Sequence, residues 1–105
     1  LVRVLVFERN LMWSSKLVQS LKALGHEALL VTAVSPGASV AIVNLSDPGV
    51  GERVSELHAA GAKVIGHAGH KEKELLELGR LAGVDVLATN SELTFKLPEI
   101  LAGLS

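Results

Sequence analysis

Residues 40–44, Val-Ala-Ile-Val-Asn, restrict the architecture of this chain more tightly than any other stretch. A strand with one wet face alternates apolar and polar residues, whereas this run is apolar at both parities until Asn44. Both of its faces must therefore be covered, which places it in the middle of a parallel sheet with helices on either side. The rest of the chain follows suit. Residues 2–7, 27–32, 63–66 and 84–88 are short apolar, β-branched-rich runs that predict four more strands. Helical periodicity falls between them. Over 11–24, Trp13, Leu17, Leu21 and Leu24 share one face, with Asn10 as N-cap and Gly25 as the stop. Over 51–60, Val54 and Leu57 point inward, and Gly61 closes the helix. Over 71–81, Leu75, Leu78 and Leu81 or Ala82 form the buried side, and Gly83 ends it. A last helix is predicted over 98–104, with Pro98 at its first position and a short turn through 92–96 before it.

This alternation predicts a three-layer α/β/α domain spanning 1–105, built on a five-stranded parallel sheet. One connection is anomalous. Residues 33–39 are too few for the usual helical crossover of about a dozen residues. The second helix is expected to be shortened or absent, replaced by an extended link or a single turn. The competing topology is a hairpin through Ser35-Pro36-Gly37-Ala38, which would make the flanking strands antiparallel.

Composition excludes several functions. With ten Lys+Arg against eleven Asp+Glu and no basic block, phosphate neutralisation along a nucleic acid has no support. The chain has no Cys, hence no disulfide, thiolate metal site or thiol nucleophile. No apolar run approaches the roughly 20 residues of a membrane span. The first residues are too short and too soon charged for a signal peptide, so a cytoplasmic setting is expected, and the Leu1 start reads as a trimmed or processed chain.

In open parallel sheets ligands sit at the carboxyl ends of the strands. Those ends carry Glu8 and Arg9, then Asn44, then His67, Ala68 and His70, then Thr89 and Asn90. Around them, "VRVLVFERN", "LKALGHE", "VAIVNLSDPG", "AKVIGHAGH" and "LGRLAGVDVLATNSE" occur in the order and near the spacings of the response-regulator receiver domain. The chain resembles that family, the CheY-like branch of the flavodoxin-like fold, over nearly its whole length. The resemblance implies strand order 2-1-3-4-5. It also implies a pocket in which an Asp accepts a phosphoryl group beside Mg²⁺ held by two acids, with a hydroxyl and a Lys completing the set.

None of that set is carried over. Asn44 stands at the phosphoacceptor position, Glu8-Arg9 replaces the acidic pair, Ala68 the hydroxyl and Asn90 the Lys. Ser91 replaces the Pro that follows the Lys, and Leu87 takes the aromatic switch position. One formal anion faced by Arg9 gives a divalent cation little reason to shed its water. Arg9 or a neighbour is expected to act as a tethered cation in the metal's place, with Asn44 hydrogen bonding across the pocket. The expectation is a degenerate, non-phosphorylated pseudo-receiver with no cofactor, metal or catalysis. It would act on protein partners, and through self-association, by the face the resemblance assigns to residues 71–81, 84–88 and 98–104. The alternative is a small-ligand-binding domain or enzyme using the strand-end pocket, with His67, His70 and Thr89 as further contacts. A receiver phosphorylated at an unusual residue is a third reading.

The remaining polar residues have plainer roles. Asp47 is expected as a loop or cap carboxylate pointing elsewhere, and His67 and His70 as loop residues, since two His without a third ligand make a poor metal site. His26 and His58 read as helix-end or surface residues, Lys71 to Glu74 as a solvated helix start, Trp13 as core and Met12 as partly exposed.

Overall fold

The doubly apolar run is the central strand of the sheet. In the computed structural model, which describes residues 2–104, Val40 to Val43 are all buried. The expected ends of the domain, Leu1 and Ser105, lie outside the described residues. The chain runs β1 (Arg3–Phe7), α1 (Leu11–Ala23), β2 (Glu27–Leu30), β3 (Val40–Asn44), α2 (Val50–Ala59), β4 (Lys63–Ala68), α3 (Lys73–Ala82), β5 (Val86–Thr89), α4 (Asn90–Phe95) and α5 (Leu97–Ala102). The strands pair in parallel in the order β2-β1-β3-β4-β5. Register sets Phe7 beside Val43, Asn44 beside His67, and Ala68 beside Thr89, so the polar residues of three strand ends meet at one edge.

Each face of the sheet has its own apolar layer. Val4, Val6, Ile42, Ile65 and Ala88 pack with Leu17 and Leu21 of α1 and with Leu93, Leu97 and Leu101 of α4 and α5. On the opposite face Leu5, Phe7, Ala41, Val43 and Val64 pack with Val54 and Leu57 of α2 and with Leu45.

The short connection is resolved in favour of the parallel topology. β1 pairs in parallel with both β2 and β3, so there is no hairpin at residues 35–38. Residues 31–39 form an irregular link with one turn at Pro36-Gly37. An extended residue advances about 3.3 Å and a helical one about 1.5 Å, so a short link retraces a strand that a short helix could not. Val31, Val34 and the buried Ala38 lay apolar surface against the core where a helix would otherwise sit.

Several boundaries differ from the sequence reading. β2 ends at Leu30, and β5 starts at Val86. α1 ends at Ala23 and leaves Leu24 exposed as its cap, while α3 begins at Lys73. β4 continues through Ala68, so His67 is a buried strand residue and not part of a loop. The C-terminal segment holds two short helices. Thr89 and Glu92 close a capping box that starts α4. Pro98, which lacks an N–H, sits in the first turn of α5.

The largest correction concerns α3. Leu78 and Leu81 are 45% and 70% exposed, and the residue this helix buries is Gly79. A Cβ at Gly79 would lie 2.7 Å from Leu87 Cδ2 and 2.8 Å from Leu45 Cδ1, and one at Gly66 of β4 would lie 2.8 Å from Leu45 Cδ2. Leu45 is thus wedged into two glycine notches, and helix and sheet approach through the missing side chains. Leu75 and Ala82 of the expected set do pack, partly buried, against the core layer. Periodicity treats glycine as a gap in the pattern, so it misses Gly79 and turns Leu78 and Leu81 inward.

At the other end of β5, burial pushes the Asp85 carboxyl up. The stronger combined pull of the Val64 N–H (2.7 Å), His58 Nε2 (2.8 Å) and Lys63 holds it below the usual range. His58 thereby pins the last turn of α2 to β5. We expect Asp85→Asn to cost about 1–3 kcal/mol, the range of hydrogen bonds to a charged group. Because the folded-state pKa is depressed, this contribution is complete above the unfolded carboxylate value of about 3.9 and is lost as pH falls through the folded value. Urea titrations of the two proteins should separate at neutral pH and converge in acid.

Leu45→Ala should cost about 2–5 kcal/mol through the cavity it leaves. Gly79→Val should cost about 1–3 kcal/mol by overfilling the same space. The double variant should lose less than the two losses combined, measured by chemical denaturation.

Candidate functional site

The carboxyl edge of the sheet gathers Glu8 after β1, Asn44 at the end of β3, His67 near the end of β4, and Asn90 at the start of α4. The Glu8 side chain is 4% exposed, so its carboxylate needs compensation inside the protein. Asn44 supplies it. Nδ2 of Asn44 donates to both Glu8 oxygens, at 3.1 and 3.0 Å. The amide cannot turn over, because its Oδ1 accepts from the Ser46 N–H at 2.9 Å and the Ser46 hydroxyl at 2.7 Å. Every polar atom of Asn44's side chain is engaged.

His67 lies beside this pair and is 2% exposed. Its Nδ1 stands 2.7 Å from Asn90 Oδ1, an acceptor, so this nitrogen carries the proton. Its Nε2 is buried, has no hydrogen-bond partner, and faces Glu8 Oε2 at 4.0 Å. The indole of Trp13 stacks on the imidazole with centroids 5.3 Å apart and planes 18° from parallel. Trp13 packs against the core, as expected, but only half-buried, and Met12 is exposed.

The other expected residues divide. Arg9 is 75% exposed at its side chain and reaches Asp47 Oδ1 at 3.9 Å. It does not stand in for a metal against Glu8 and Asn44; the amide nitrogen of Asn44 holds that place. Asp47, expected to point elsewhere, turns back to the strand ends and is held between Arg9 and Arg53, whose Nη1 is 3.7 Å away. Arg53 went unnoticed in the sequence. It lies in the first turns of α2, and its guanidinium stands 4.4 Å above the centroid of Phe7. Ala68 is buried in the apolar layer and brings no hydroxyl. Thr89 spends its side chain on the Glu92 N–H at 3.1 Å as the cap of α4. His70 is exposed in the turn after β4 and makes no hydrogen bond or ion pair among the described residues. His26 Nδ1 accepts from the Val2 N–H.

Between Glu8, Arg9, Asp47 and Arg53 and the link at residues 31–35 lies an open cleft of about 950 Å³, on the side where the second helix is missing. The Glu8–Asn44 centre is a poor fit for a divalent cation, because it offers a single carboxylate whose two oxygens already accept from the amide. No group of three or more His, Cys, Asp or Glu among the described residues is arranged to hold a metal. The carboxamide of Asn44 is no nucleophile for a phosphoryl group, and the neighbouring Asp47 is tied to two arginines.

No protein-family model matches the chain, and no curated protein matches it. Solved structures do. A DNA-binding response regulator of the LuxR family from Staphylococcus aureus is 22% identical, with a TM-score of 0.80 over 99% of this chain and 98% of its own. A CheY-like protein from Pseudomonas aeruginosa is 16% identical, with a TM-score of 0.81 over the whole of both chains. A streptococcal protein, from a family of redox sensors evolved from two-component response regulators, is 14% identical with a TM-score of 0.79. That match covers 98% of this chain and 50% of its own. At such identities the likeness carries the fold: this chain has the CheY-like, flavodoxin-like receiver fold. No helix among the described residues is long and apolar enough to cross a membrane.

Asn44→Asp would set two carboxylates face to face. We expect a loss of about 2–3 kcal/mol in the presence of chelator, from unsatisfied buried charge. Millimolar Mg²⁺ should restore part of it in the variant and change nothing in the native chain. Thermal melts with and without Mg²⁺ provide the check.

Proposed function

We propose that this chain is a pseudo-receiver, a signalling module that acts through protein contacts without being phosphorylated and without catalysis. The observation that carries this reading is the two-oxygen grip of Asn44 Nδ2 on Glu8. These hydrogen bonds offset the buried charge from within, and an amide stands where a phosphoaccepting carboxylate and metal ligand would be needed. The streptococcal redox sensors, described as evolved from response regulators, offer a precedent for this fold under a different input.

The contact face is the one formed by α3 and β5. Leu78 and Leu81 project from α3 and Leu87 from β5, all exposed, and Leu87 lies against Gly79. The third element of this face is α4, which packs on β5, in place of the expected segment 98–104. Exposed leucines on adjoining elements suit a protein partner or a second copy of this chain. A net charge of −1 with no basic block favours protein over nucleic acid. The proposed setting is the cytoplasm. A ligand-binding reading of the strand ends draws on the open cleft beside Arg9 and Arg53; stabilisation by a metabolite in a thermal-shift screen would favour it.

Incubation with acetyl phosphate and Mg²⁺ should leave the intact mass unchanged; a gain of one phosphoryl group would refute the central claim. Leu81→Asp should change stability by less than about 0.5 kcal/mol, as for an exposed position. It should abolish concentration-dependent association in sedimentation velocity.

A further inference from the structure

A separate concavity of about 320 Å³ lies between α1 and the break that divides α4 from α5. Trp13, Leu17, Leu93 and Leu97 form its apolar wall. Lys16 is the one charged residue on its lining. No acid pairs with Lys16 among the described residues. The first turn of α1, which borders the groove, also contains no acid, so the positive end of a 13-residue helix adds to the field of the ammonium. An apolar hollow of roughly 300 Å³ or more with a few placed polar groups is the usual form of a small-molecule site. Here Asn10, Ser20 and Thr94 supply neutral polar groups, and the exposed Lys16 supplies the one charge, unpaired with any acid among the described residues.

The wall is also a connection. Trp13 presents part of its ring to the groove and stacks on His67, which in turn holds Asn90 and faces Glu8. A molecule seated against the indole bears on the strand-end pocket from behind.

We propose that this groove binds a small monocarboxylic acid with an aromatic body, its carboxylate on Lys16 and its ring against Trp13. Occupancy is passed through the Trp13–His67 stack to Asn90 and Glu8. Binding here does not depend on whether residue 44 accepts phosphate, so this site and the pseudo-receiver reading can fail separately.

Trp13 is the only tryptophan, so intrinsic emission reports the site directly. The unaltered chain is titrated with 4-phenylbutyrate and with its neutral amide, while the His67 ring protons are followed by NMR. Half-saturation is expected near ~1 mM, the range open to a ligand of about a dozen heavy atoms. The acid should bind about threefold more tightly than the amide, as for one partly exposed ion pair. Lys16→Met should erase that difference, and Lys16→Arg should keep it. Ser20→Phe, at an exposed lining position, should block both compounds while circular dichroism confirms an intact fold. Movement of the His67 signals with the same saturation curve supports the relay, and their silence overturns it. No saturable emission change tenfold above the expected half-saturation, or equal affinity for acid and amide, overturns the site.

Discussion

A carboxylate is buried at the mouth of this sheet with no lysine or arginine paired to it among the described residues. Glu8 is almost wholly covered, and the arginine next to it in sequence turns away. The balance comes from a neutral group: Asn44 offers its amide nitrogen to both oxygens while Ser46 locks the other end of the amide. Much of the local geometry follows. β1 and β3 are tied at their carboxyl ends, the loop after β3 is folded back by Ser46, and Asp47 is brought between Arg9 and Arg53. In a metal-dependent pocket the same positions repel one another until an ion arrives. Here they attract one another at all times, which suits a domain held in one state.

How much of this was readable in advance depended on the kind of force involved. Double-sided burial of residues 40–43 follows from their composition, and with it the parallel sheet; the strand order came from the resemblance. Asn44, Glu8 and Asn90 could be placed at the strand ends because register follows from strand pairing. The partners they choose could not. Whether Arg9 faces Glu8 or Asp47 is settled by rotamers and loop geometry that no spacing encodes. His67 was misjudged because β4 runs two residues beyond Gly66, and the added length converts a loop imidazole into a buried one. Arg53 had no signal at all: an arginine on a helix is ordinary until Phe7 is known to lie beneath it.

Glycine was the subtler failure. A helix is read by its large residues, and α3 offers leucines at a helical spacing. The sheet instead receives Gly79, because Leu45 already fills the space between α3 and β4. Leu78 and Leu81 are thereby turned outward, while Leu75 keeps its place against the core layer. The exposed apolar patch and the tight helix–sheet contact have one cause, and neither is visible without the other.

The irregular link between β2 and β3 has a different consequence. Topology asks of it only that it leave one edge of β1 and return to the other side. Closing a longer loop costs little more, about 0.6 kcal/mol for each doubling of its length. The segment is therefore a natural point for insertion: a helix, a peptide epitope or a whole folded unit could be accepted there with the register of the five strands undisturbed. This architecture tolerates loss on one flank, and by the same reasoning it tolerates gain.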